Sequence, residues 1–206
     1  MSIGFRVKSG YAIAIVVQGS RQAPVAVSRH IVQLCDPQKA ETRQPYHSGV
    51  GEAEENQRAI AARVKVIERA AARSVDALLD GTTGAGRVLP SVGRVLSDPA
   101  RGATSTPLRA ALVVGSTIDP ATVGNPHIRA HASEGKLFRS VLEAALASRG
   151  VDCTVIVEKQ LADTARRQLQ RTDAQIRSAL TAFGNVLGRP WRGDEKSAAI
   201  GAWLRL

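Results

Sequence analysis

The segment "SIGFRVKSGYAIAIVV", residues 2 to 17, limits the possible folds more than any other stretch of the chain. Ile3, Phe5 and Val7 alternate with Gly4 and Arg6, and Gly10 permits a sharp turn before the apolar run Tyr11 to Val17. That is the pattern of a β-hairpin. After the turn "QGSRQAP", the stretch "VAVSRHIVQLC", residues 25 to 35, predicts a third strand. Three sequential strands with short turns make an antiparallel meander. The polar loop that follows, residues 36 to 51, is longer than a turn requires, and loops of that length often carry function.

From Glu52 the period changes. Ala53, Ile60, Val64, Ile67, Ala71, Val75 and Leu78 recur at helical spacing, "GEAEEN" places acids in the first turn, and Gly81 follows the end. "LRAALVVGS", residues 108 to 116, suits a buried parallel strand. A helix follows from about Pro126 to Arg149, then the strand "CTVIVEK", one or two amphipathic helices over 160 to 187, and a last helix from "GDEKSAAIGAWLRL". No internal repeat is visible. Right-handed crossovers from the meander would place the fourth strand beside the first and the fifth beyond it. The expected architecture is α/β: a mixed five-stranded sheet of order 3-2-1-4-5, its second strand antiparallel, flanked by helices in a single domain spanning 1–206.

Residues 81–107 interrupt this scheme with five glycines, three prolines and one acid, Asp98, and predict a flexible Gly/Pro-rich insertion. Arg87, Arg94 and Arg101 recur within it at every seventh position, which fits a basic arm or a solvated linker. "GTTGAG" lacks the GK[ST] of a phosphate-binding loop.

A net charge of +10 favours a polyanionic partner, because cationic surface attracts phosphates and gains from releasing their counterions. The excess of Arg over Lys suits bidentate phosphate contacts and equally follows from biased genome composition. With only 3% aromatic residues, Ala, Val, Leu and Ile must fill the interior, which argues against base-stacking platforms. The two cysteines, Cys35 and Cys153, have no metal-ligand spacing and read as buried small hydrophobes in a reduced compartment. The longest apolar stretch is too short to cross a bilayer and no signal-peptide cleavage pattern follows it, so a cytoplasmic protein without membrane contact is expected.

Together with local similarity at "GYAIAIVV", "EKQLADTARRQLQ" and "GDEKSAAIGAW", this layout resembles the ribonuclease H-like superfamily, in its Holliday-junction resolvase branch. The resemblance implies two divalent metals held by carboxylates on the first strand, at the end of the fourth and on the last helix, hydrolysing a phosphodiester. It also leaves open a homodimer formed through the long helix. Residue by residue, however, the first strand offers Arg6 or Lys8 where an acid is needed. The fourth strand ends in Gly115 and Ser116, with Asp119 several residues beyond. Only Asp194 and Glu195 correspond to the family's terminal acids, and acids at a helix N-terminus also have a purely structural explanation. Two-metal chemistry requires several convergent carboxylates and is not expected here. No cofactor is expected, one divalent metal being the alternative.

The same topology gathers residues at the carboxyl edge of the parallel strands, where open sheets commonly bind ligands. This edge would hold Lys8, Ser9, Arg43, Tyr46, His47, Ser116, Asp119, His127, Arg129, His131, Glu158 and Lys159, leaving His30 within the third strand. In "NPHIRAHASEGK", His127, His131 and Glu134 fall on one helical face at i, i+4 and i+7. That spacing fits an ordinary helix, an anion site with Arg129 and free helix N–H groups, or a metal held by His127, His131 and Glu134. In "RQPYH", Arg43 could clamp a phosphate while Tyr46 and His47 meet a base or sugar, or Tyr46 could simply anchor Pro45 in a packed loop. Trp191 and Trp203 read as core residues.

Two functions follow. The first is binding of nucleic acid or another phosphorylated ligand, with Lys8, Ser9, Arg43, Tyr46, Ser116, Arg129 and Lys159 on phosphate and the histidines giving oriented hydrogen bonds. The second is a phosphoester hydrolase using His127, His131 and His47 as proton-transfer groups, with or without one metal. A third reading is an interaction protein whose charge only maintains solubility.

Overall fold

A computed structural model describes residues 1–49, 52–84 and 107–206. Strands β1 (Ser2–Lys8), β2 (Tyr11–Gly19) and β3 (Pro24–Gln33) lead through a short 3-10 turn (Ala40–Thr42) to the long helix α1 (Gln57–Gly84). Then follow β4 (Arg109–Val114), a second 3-10 turn (Pro120–Thr122), α2 (Pro126–Ser148), β5 (Asp152–Val157), α3 (Glu158–Leu169), α4 (Asp173–Leu187) and α5 (Gly193–Leu204). The sheet order is β3-β2-β1-β4-β5; β2 is antiparallel to both neighbours, while β1, β4 and β5 are parallel. This is the expected ribonuclease H-like arrangement. Lys8 pairs with Tyr11 across a tight turn, in which Gly10 takes φ +84°, a conformation that disfavours any side chain.

Both faces of the sheet are covered, so β1 and β4 are buried along almost their whole length. Ile3, Phe5 and Val7 join Leu112, Ile67, Val75, Phe138 and Leu142 on the face covered by α1 and α2. Ile13, Ile15, Val113, Leu161, Leu180, Ala198 and Trp203 fill the opposite face, under α3, α4 and α5. On that second face the alternate residues of β1 meet α5. The Ser2 hydroxyl donates to the Ala202 carbonyl at 2.7 Å. A Cβ on Gly4 would lie 1.9 Å from the Ala198 carbonyl oxygen, so helix and strand touch backbone to backbone. Trp203, fully buried, is core as its sequence context suggests.

Several element boundaries differ from expectation. Glu52, Glu54 and Glu55 precede α1 and do not form its first turn. The Asn56 side chain accepts the N–H groups of Arg58 and Ala59 and so supplies the cap. At its other end α1 runs through Gly81 to Gly84, so the first residues of the expected insertion are helical; Arg87, Arg94 and Arg101 lie outside the described residues. Glu158 and Lys159 open α3 and do not extend β5. Residues 160 to 187 form two helices, separated where Gln170 adopts φ 54° and where Thr172 and Gln175 cap α4 reciprocally. No helix among the described residues is long and apolar enough to cross a membrane.

The backbone contact at Gly4 leaves no room for relaxation. Gly4→Ala is expected to lower stability by about 3 kcal/mol, read from the midpoint of urea unfolding.

Candidate functional site

At the carboxyl edge, β1 delivers a guanidinium where the resemblance calls for a metal-binding acid. Arg6 is 6% exposed. Its Nη2 donates to Glu158 Oε2 at 2.6 Å, and its Nε faces Asp194 Oδ1 at 3.3 Å. Its Nη1 reaches the carbonyls of Val7 at 3.2 Å and Val113 at 3.4 Å. The Lys8 ammonium lies 3.4 Å from Asp194. Two cations of β1 and two carboxylates, one opening α3 and one opening α5, thus form one nearly neutral cluster, and Lys8, expected to serve a phosphate, is committed to Asp194. Glu195, the other expected acid, is buried and accepts the Arg192 N–H at 2.8 Å, which makes it part of the cap of α5.

The remaining edge residues divide. A cavity of about 440 Å³ is bounded by Arg6, Lys8, Ser9, Ser116, His131 and Phe138. Arg43 lies outside it, exposed and without an ion pair among the described residues, beside Ser9 and Lys39 in a neighbouring cavity. Lys159 is exposed on the first turn of α3. Arg129 donates to the carbonyls of Val123 and Gly124, both at 2.8 Å, and so ties down its own helix entrance; it does not serve this cavity. Asp119 caps the second 3-10 turn: the Ala121 N–H, then the Lys136 ammonium, hold its carboxyl below the usual range. Tyr46 is half-buried, and burial followed by the Glu134 charge pushes its phenol above its ordinary range.

A second basic feature escapes the sequence reading. Where α4 ends and α5 begins, Arg177, Arg189, Arg192 and Lys196 line a cavity of about 720 Å³ together with Asn185 and Trp191. No carboxylate lines it, and none of these four cations forms an ion pair among the described residues. The loop is held in place by Arg29 of β3, whose guanidinium donates to the carbonyls of Gly188, Arg189 and Pro190. Trp191 packs its indole over Gly184, where a Cβ would lie 2.5 Å from the ring. Cations that converge without counter-charge leave a field that an anion relieves.

On the other side of the crevice, three of the four histidines meet. Ring centroids of His47 and His131, and of His127 and His131, are 4.6 Å apart, and those of His47 and His127 are 5.3 Å apart. Glu134, 2% exposed, accepts from His47 Nδ1 at 2.7 Å and lies 3.5 Å from His131 Nδ1. One nitrogen from each ring lies within 4.8 Å of the other two, the group of described residues with the spacing to hold a metal. Glu134 therefore stands behind the rings, and His47, from a loop, supplies the third nitrogen in its place. That loop is fastened by Arg63, which donates to the carbonyls of Pro45 at 2.9 Å and His47 at 3.2 Å and pairs with Glu54 at 2.9 Å. A cavity of about 710 Å³ opens onto the three rings, with Gln44, Ser48 and Arg63 on its walls. His131 lines both this cavity and the crevice beside Lys8. His30 hydrogen-bonds Ser28 within β3, and burial lowers its imidazole below the ordinary value.

No protein-family model and no curated protein sequence matches the chain. Among solved structures, Thermus thermophilus RuvC has 9% identity and a TM-score of 0.49 over 98% of this chain and 91% of that one. The T. thermophilus RuvC complex with a Holliday junction substrate has 11% identity and a TM-score of 0.47 over 98% and 90%. The fold assignment rests on strand order and direction.

Two outcomes follow from this geometry. Arg6→Met strands Glu158 and Asp194, both partly exposed, and is expected to cost about 2 kcal/mol in urea unfolding, less than a fully buried pair would. The Cys153 thiol is pushed up to about 12, by burial first and by the Glu143 charge second. At pH 8 its alkylation by iodoacetamide, followed by peptide mass spectrometry, is expected to run about 10²–10³-fold slower than that of an unperturbed thiol.

Proposed function

We propose that the chain binds nucleic acid, or another phosphorylated polymer, along the carboxyl edge of a nuclease-like sheet without cutting it by two-metal chemistry. The observation that carries this reading is the cavity between α4 and α5, where Arg177, Arg189, Arg192 and Lys196 converge with no carboxylate among its lining residues. Guanidinium forks match phosphate oxygens bidentately, and four exposed cations around one cavity without a carboxylate leave a local positive potential that attracts an anion. The net charge of +10 extends the attraction over the whole surface. Arg192 is two residues from Asp194, so the cavity adjoins the Arg6 cluster, and Arg43 with Lys39 adds free positive charge beyond the hairpin turn.

The Arg6 cluster supports binding over cleavage. A guanidinium sits between Glu158 and Asp194, and two divalent ions brought to the same carboxylates would meet that fixed positive charge. The neighbouring solved complex is of a RuvC with a Holliday junction, and a branched DNA belongs among the probes for that reason.

Fluorescence anisotropy with labelled duplex DNA, single-stranded DNA, RNA and a four-way junction tests the reading across a salt series. Binding should weaken linearly in log salt. The Arg189→Ala, Arg192→Ala, Lys196→Ala triple variant should lower the slope by up to about 0.9 per lost phosphate contact on duplex DNA. Added Mg²⁺ should yield no cleavage products. Absence of binding at low salt, or a triple variant that binds like wild type, would overturn the proposal.

A further inference from the structure

We infer that His47, His127 and His131 form a binding site for one zinc-type divalent ion, oriented by Glu134 and open to a ligand at its remaining position. This rests on observations separate from those behind polyanion binding.

The first is convergence. Three imidazole nitrogens lie within 4.8 Å of one another, and the Nε2 atoms of His127 and His131 are already 3.2 Å apart. Ligands about 2.0–2.1 Å from a tetrahedral ion sit about 3.3–3.4 Å from each other, so the pair stands near bound geometry and the third ring needs only a small movement.

The second is the state of the nitrogens. His47 is 8% exposed, its Nδ1 is engaged by Glu134, and its Nε2 is buried without any hydrogen-bond partner. With Glu134 accepting from Nδ1–H, the lone pair of His47 stands on Nε2, on a ring whose centroid is 4.6 Å from that of His131 and 5.3 Å from that of His127. A buried polar atom left without a partner costs about 1–3 kcal/mol, and His47 Nε2 incurs that cost while nothing is bound. An ion accepting the lone pairs removes the anomaly.

The third is the carboxylate. Glu134 is almost inaccessible, and its two oxygens face Nδ1 of both His47 and His131. A carboxylate bonded to the far nitrogen of a metal-bound histidine fixes its tautomer and raises its basicity. One buried acid that serves two rings in this manner explains why a charged side chain occupies the apolar side of α2.

The donor set selects the ion. Neutral imidazoles suit zinc and other late first-row metals and suit magnesium poorly. Three protein ligands leave one position free, and here the rings face a cavity of about 710 Å³ with Gln44 and Ser48 on its walls. That position would hold water or an anionic oxygen.

The test uses the untagged full-length chain, with metal content by mass spectrometry and zinc affinity by competition with a chromogenic chelator. One zinc per chain is expected, with no competition from millimolar Mg²⁺. His127→Ala and His131→Ala, on a half-buried and an exposed residue, should abolish stoichiometric binding while leaving far-ultraviolet circular dichroism unchanged. Glu134→Gln should weaken zinc binding about 10–100-fold. His30→Ala should bind as wild type does. The Co²⁺-loaded protein should show a visible spectrum that shifts on adding azide. Failure of the wild type to bind zinc, full binding by the His127→Ala, His131→Ala double variant, or equal competition by Mg²⁺ would overturn the site. A Co²⁺ spectrum indifferent to azide would overturn its open position. Anisotropy with DNA is read independently, so loss of either property leaves the other standing.

Discussion

The contact that organises this molecule is the seating of α5 directly on β1. Gly4 offers no side chain, so the carbonyl of Ala198 comes to within van der Waals reach of the strand backbone. The Ser2 hydroxyl locks the far end of the helix through Ala202, and Trp203 fills the core beside it. With the helix fixed at that end, its N-terminus is delivered to the opposite end of β1, where Asp194 arrives beside Arg6 and Lys8. The charges of the edge are a consequence of that seating. An acid opening α5 would otherwise serve only the helix dipole; here it has a guanidinium and an ammonium to face.

Around this neutral cluster the surface separates into two chemistries. On the α4 and α5 side lie hard cations without counter-charge; on the α1 and α2 side lie imidazoles backed by a buried carboxylate. His131 joins the second to the crevice by lining both cavities. The sheet supplies the common floor, and the two loops that complete the sites are each fastened by an arginine that donates to backbone carbonyls: Arg29 for residues 188–190 and Arg63 for the loop of His47.

Much of the fold was legible because periodicity is local. Ile3, Phe5 and Val7 against Gly4 and Arg6, followed by the helical spacing of Ile60 to Leu78, mark strand and helix, and the right-handed sense of the crossovers then gives the strand order. Boundaries were harder: Glu54 looks like a first-turn acid, but it is drawn to Arg63, and Asn56 takes the cap instead. The site was legible only as an address. His47, His127 and His131 were placed at one edge, yet Glu134 contacts His47 across 87 positions and Arg6 contacts Glu158 across 152, separations at which a single chain carries no pairing signal. Arg129 shows the reverse limit, since nothing in "NPHIRAHASEGK" distinguishes a guanidinium free for phosphate from one spent on the carbonyls of Val123 and Gly124.

Arg6 also changes what the edge can sense. A positive charge attached to the main chain by covalent bonds does not dissociate as a bound metal does, and its pairing with Glu158 and Asp194 requires no metal. The two helices that those acids begin are therefore drawn together by the polypeptide alone. Any dependence on dissolved metal in this molecule is thereby moved away from the sheet's central edge and onto the imidazoles of its flank.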